Sequence, residues 1–128
     1  MKPLIQPGDL IIVRRKEGRI KKYDMAVYKG DLKDQYIFHR CIAVREHGYV
    51  FAGDHNEFSD GEIPEERVLA VVAKVLHGKE EIDITSWRYR LYCHLRVDFF
   101  PLRCLIIRTR KALRRWLRHD SMQGRKNR

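Results

Sequence analysis

At 128 residues and 15.4 kDa the chain suits one compact domain with an appendage and is short for two full domains. Hydrophobic residues make up 44%, enough for a core, whereas 34% charged residues and a mean hydropathy of −0.53 exclude an ordinary multi-span membrane protein. The net charge of +10 points to a polyanionic partner, nucleic acid or an anionic lipid surface. Cys41, Cys93 and Cys104, an odd set without CxxC spacing, argue against a disulfide framework and for a reducing compartment.

Residues 1–77 read as strands separated by turns. Leu10–Val13 follows the turn signal Pro7-Gly8-Asp9. Met25–Tyr28 is entered from Tyr23-Asp24 and closed by Lys29-Gly30-Asp31. Tyr36–Val44 is rich in aromatic and β-branched residues, and His47-Gly48 turns it into Tyr49–Ala52 as a hairpin. Gly53–Glu62 is polar and holds two glycines, so it reads as a loop. Val68–Leu76, nearly all apolar, reads as a strand buried on both faces, and His77-Gly78 ends it. Five or six short strands without helical period predict a mainly β domain, a small curled sheet or partial barrel.

The charge divides sharply. Residues 1–86 carry 14 basic and 15 acidic side chains, while residues 87–128 carry 13 basic ones against only Asp98 and Asp120. This predicts a near-neutral domain over 1–86 and a basic arm over 87–128. From Leu105 the apolar positions recur at helical spacing, with arginines mainly on the other face, so Leu105–Arg118 reads as a basic amphipathic helix. Pro101 stands near its start, where proline is tolerated. Trp87–Phe100 is a second aromatic and arginine-rich stretch that can form a separate helix. No apolar leader region follows Lys2, and no run approaches the roughly 20 apolar residues of a membrane span.

Four short segments carry the chemistry. They are Met1-Lys2-Pro3 through Gly8-Asp9, Asp24-Met25-Ala26-Val27-Tyr28, His39-Arg40-Cys41-Ile42, and Gly53-Asp54-His55-Asn56 with Asp60 beyond. In this order and spacing, over about residues 1–77, they resemble the type I signal peptidases and the wider LexA-like serine peptidases, above all the archaeal and endoplasmic-reticulum branch. Each piece alone is common; the ordered set is far more specific. The resemblance implies the β-fold of that group and a serine endopeptidase that removes a signal or leader segment. His39 matches the family's general base and Asp60 the later carboxylate that orients it. Met1 and Pro3 match the segment that shapes the substrate cleft, and Asp54 reads as structural, holding its loop by side-chain-to-backbone hydrogen bonds.

The family's nucleophile directly precedes the methionine that here is Met1. The expectation is therefore a natural polypeptide that begins further upstream and includes that serine; as written, the chain should be inactive. Ser59 and Ser86 are the only serines before the tail, and the family gives neither a nucleophile role. Smaller departures are His55 where Asn is usual and Ala73 where Gly is usual.

Other readings stand beside this one. Cys41 is a small core residue, although strand alternation puts it on the face of His39. His47, His55, Cys93, His94 and Cys104 supply ligand types without zinc-site spacing, so no metal and no cofactor is expected. The basic arm can pack its apolar stripe on the domain, lie in the headgroup region of an anionic membrane, or bind nucleic acid, the last being the least favoured. For the whole chain, the alternative to an endopeptidase is a catalytically inactive β-domain that binds peptides by strand addition and is tethered to membrane by its arm. A LexA-like fragment whose arm binds DNA ranks last, because no helix-turn-helix is visible. The expected location is peripheral at a membrane, or cytoplasmic.

Overall fold

A computed structural model describes residues 4–126, with side chains as far as residue 117. It is mainly β: a seven-stranded antiparallel sheet that does not close, followed by two helices. The strands are β1 (Leu10–Arg15), β2 (Met25–Lys29), β3 (Tyr36–Val44), β4 (Gly48–Ala52), β5 (Glu62–Pro64), β6 (Val68–His77) and β7 (Glu80–Ile82). The helices are α1 (Trp87–Val97) and α2 (Phe100–Lys126). The sheet order is β1-β6-β2-β3-β4-β5, with β7 also paired to β6.

The long apolar strand β6 is the spine. β1 runs along one of its edges from Leu10↔Leu76 to Arg15↔Ala70, while β2 and β7 share the other. The expectation that this strand is buried on both faces needs correction: each face is covered over only half its length. Val68 and Val71 enter a core with Ala26, Tyr28, Cys41, Tyr49, Phe51 and Ile63. Val72 and Val75 join Ile5 and Met25 in a second cluster, against which Phe38 and Tyr89 pack. Leu69 and Lys74 stay open. Register shifts at Ile12/Val13 and Val27/Tyr28 rotate the strand between these two environments.

Three short elements depart from the sequence reading. β5 begins at Glu62, the last residue of the stretch read as loop, and runs to Pro64, a 3₁₀ turn covers Glu65–Arg67, and β7 follows the His77-Gly78 turn. The strands β5 and β7 have three residues each, too few to display an alternation. Gly48 is required where β4 meets β5, since a Cβ there would stand 2.4 Å from the Ile63 carbonyl oxygen.

The basic segment forms both expected helices. Ser86 caps α1 by accepting from the Tyr89 amide, and Pro101 falls in the first turn of α2, where its missing donor costs nothing. The seam between α1 and the sheet is polar at its centre. Arg40 of β3 is fully buried, and its Nε and Nη2 donate to the two oxygens of Asp54 at 2.8 and 2.9 Å. Its Nη1 reaches the Tyr23 carbonyl at 2.9 Å, Tyr89 Oη at 2.8 Å and Cys93 Sγ at 3.3 Å. Tyr92 of α1 donates to the same carboxylate at 2.8 Å. Burial disfavours the guanidinium charge, but the two-pronged bond to Asp54 outweighs it and holds the Arg40 pKa above its ordinary value.

Candidate active site

His39 lies in the middle of β3, paired with Ala26 of β2. Strand alternation sets Ile37, His39 and Cys41 on one face, with Phe38 and Arg40 on the other. The loop after β4 returns over the His39 face and is fixed there at both ends. Asp54 is held by Arg40 and Tyr92, and the Asp60 amide donates to the Phe51 carbonyl at 2.8 Å. The result is contact between two residues 21 positions apart: His39 Nδ1 and Asp60 Oδ2 are 2.6 Å from one another.

An ionised carboxylate can only accept, so the proton of this bond sits on Nδ1. That leaves the Nε2 lone pair of a neutral imidazole free to take a proton, and Nε2 makes no hydrogen bond to a described residue. The pair is sheltered but reachable, with the His39 side chain 20% and the Asp60 side chain 22% exposed. Tyr28 completes the cluster, donating from its hydroxyl to the same Asp60 oxygen at 2.7 Å. Burial first, and the Asp60 carboxylate second, push the Tyr28 phenol far above its ordinary range, so it remains a neutral donor. Asp60 Oδ2 thus accepts from both the fixed phenol and the imidazole.

Tyr28 was legible as part of the Asp24–Tyr28 segment but not as a partner of Asp60. Its signal lay in the period of two: Ala26 and Tyr28 share the face that meets His39 and Ile37. Asp54 is structural by its contacts, through its side-chain bonds to Arg40 and Tyr92 rather than bonds to backbone. Met1 and Pro3, the expected cleft residues, lie outside the described residues. The first described side chains, Leu4 and Ile5, pack with Met25 and Phe38 on the face away from His39.

Cys41 shares the face of His39 yet is fully buried in the core. Burial pushes its thiol up to about 12, and Sγ lies 3.4 Å from the Ala43 carbonyl, so it is no nucleophile. Ser59 stands beside Asp60 in the exposed loop. An open cleft of about 360 Å³ adjoins Asp60, lined by the loop from His55 to Asp60 and by Lys111 of α2. No three metal-ligating side chains gather among the described residues.

Compared with family models, curated proteins and solved structures, the chain matches none.

Proposed function

We propose that the chain carries the base and orienting residues of a signal-peptidase-like serine endopeptidase, acting on a polypeptide with a signal or leader segment. The single observation behind this reading is the 2.6 Å contact between His39 Nδ1 and Asp60 Oδ2. With the proton on Nδ1, Nε2 is the free nitrogen, and the open cleft of about 360 Å³ adjoins the Asp60 end of the pair. The nucleophile in this reading is a serine placed directly before Met1. Three residues, Met1 to Pro3, would then lie between it and Leu4, an extended reach of about 13 Å over four steps. Its hydroxyl attacks the scissile carbonyl while His39 Nε2 takes the proton. The imidazolium returns that proton to the leaving amine, and water then releases the acyl group by the same base. Asp60 stabilises the imidazolium and keeps Nε2 aimed, with Tyr28 holding Asp60 in turn. Met1 and Pro3 would border the bound substrate.

The test adds a serine directly before Met1, with an initiating residue ahead of it. Purified protein is then assayed on leader-type peptides with small residues before the scissile bond. Cleavage should appear with serine, be absent with alanine at that position, and fall by about 10²–10⁴-fold in His39→Ala. Equal activity with serine and alanine refutes the assignment.

One observation favours a second reading, a binding domain without catalysis. Among the described residues β1 pairs only with β6, which leaves its outer edge open to an added strand. That reading predicts peptide binding that survives His39→Ala and no cleavage in any serine-extended form.

A further inference from the structure

The periodicity of α2 shows that an apolar stripe exists; the fold shows which way it faces. The inner face of the helix rests on the loop that carries Asp60. Arg103 donates to the Asn56 carbonyl at 3.2 Å and to the carbonyl of Asp54, Lys111 pairs with Glu57, and Arg108 stacks 5.2 Å over the Phe58 ring. Phe100, Arg103, Cys104 and Ile107 are the less exposed positions of the segment. The stripe is Leu102, Leu105, Ile106, Leu113, Trp116 and Leu117, exposed by between 42% at Ile106 and 63% at Trp116. At 3.6 residues per turn these six fall within an arc of about 120°, centred opposite the packed face. The expected alternative, a stripe packed on the domain, is therefore corrected: the helix sits on its polar contacts and turns its apolar side outward.

Leu95 and Phe99, also exposed, continue this surface at the end of α1. Together with Leu102 and Ile106 they line a groove of about 530 Å³ rimmed by Arg96, Arg103 and Arg110. Arg110 and Arg114 border the stripe on one side, and residues 99–119 contain no acid. No helix among the described residues is long and apolar enough to cross a membrane.

We propose that the outward face of α2, with the end of α1, is a docking surface for an anionic lipid bilayer, its apolar stripe entering the headgroup–acyl boundary and its arginines meeting lipid phosphates. Charge complementarity selects this occupant. A second copy would set arginine rims against arginine rims with no acid to neutralise them. A nucleic acid would leave six large apolar side chains facing phosphate. A bilayer satisfies both halves of the surface, with each basic residue near it adding attraction worth about fivefold in affinity. Because the same helix sits on the Asp60 loop, docking would hold the cleft at the membrane surface. The surface itself is independent of any catalysis.

The test is flotation of the full chain with vesicles of about 70% phosphatidylcholine and 30% phosphatidylglycerol, against pure phosphatidylcholine vesicles. Partition should favour the anionic vesicles by about tenfold or more and weaken with added salt. The variant Leu105→Asp/Leu113→Asp/Trp116→Asp alters only the outward face, so it should keep the wild-type melting temperature and lose flotation. Arg110→Glu/Arg114→Glu should bring anionic binding down toward the neutral-vesicle level. Absence of flotation with anionic vesicles overturns the proposal. So does flotation unchanged in the triple aspartate variant, or a wild-type dimer that this variant dissociates. Duplex DNA binding retained by that variant while vesicles go unbound would assign the charge to nucleic acid instead.

Discussion

Replacing Arg40 with methionine tests what joins the sheet to the helices and, through them, to the site. Methionine keeps much of the side-chain volume but deletes five polar contacts, two of them to Asp54. The Asp54 carboxylate, 2% exposed, is then left with Tyr92 as its remaining side-chain donor among the described residues. Stranding one member of a buried pair costs about 3–5 kcal/mol, a large part of the ordinary 5–15 kcal/mol stability of a domain. Adding Asp54→Asn removes the stranded charge, so the double variant should recover part of the loss, with a coupling of about 1–3 kcal/mol. Urea unfolding followed by far-ultraviolet dichroism measures the loss, and fluorescence from Trp87 at the start of α1 reports local undocking. A cost below about 1 kcal/mol, or strictly additive single and double variants, would refute the claim that this pair carries the seam.

Three further outcomes follow from named contacts. Tyr28→Phe should cost about 1 kcal/mol in urea unfolding, because Asp60 loses its buried donor while the aromatic core survives. Gly48→Ala should cost about 1–3 kcal/mol and loosen amide protection across β4 and β5, since the added Cβ meets the Ile63 carbonyl. Asp98 is held down at about 2, first by the Lys22 ammonium and His94, so it contributes stability above its unfolded pKa of about 3.9 that is lost as pH falls toward 2. Its side chain is 34% exposed, so Asp98→Asn should lower stability at neutral pH by no more than about 1 kcal/mol, with the difference from wild type vanishing near pH 2 in acid titration.

The longer strands were legible because turn residues bracket runs of apolar and β-branched side chains, and both helices because their apolar spacing changes to three and four. The short β5 and β7 were not, since three residues show no period and β5 exists only by pairing with β4. His39 and Asp60 stood out through the ordered segments around them, but their contact depends on a loop anchored by Arg40 and Asp54. Arg40 reads in sequence as one charged position in an apolar strand, and its aromatic partners Tyr89 and Tyr92 lie about fifty residues away, beyond any local pattern. Likewise the stripe of α2 was visible while its direction was not, because periodicity gives a face and only the tertiary contacts of Arg103 and Lys111 say which face is occupied.

The most direct measurement is the tautomer of His39, read from two-bond nitrogen–proton correlations of the imidazole above the pH at which it protonates. The account predicts the proton on Nδ1 in the wild-type chain, with the preference relaxing toward the Nε2-protonated form in Asp60→Asn. A wild-type ring protonated on Nε2, or one whose tautomer ignores Asp60→Asn, would contradict the base–orienter pair.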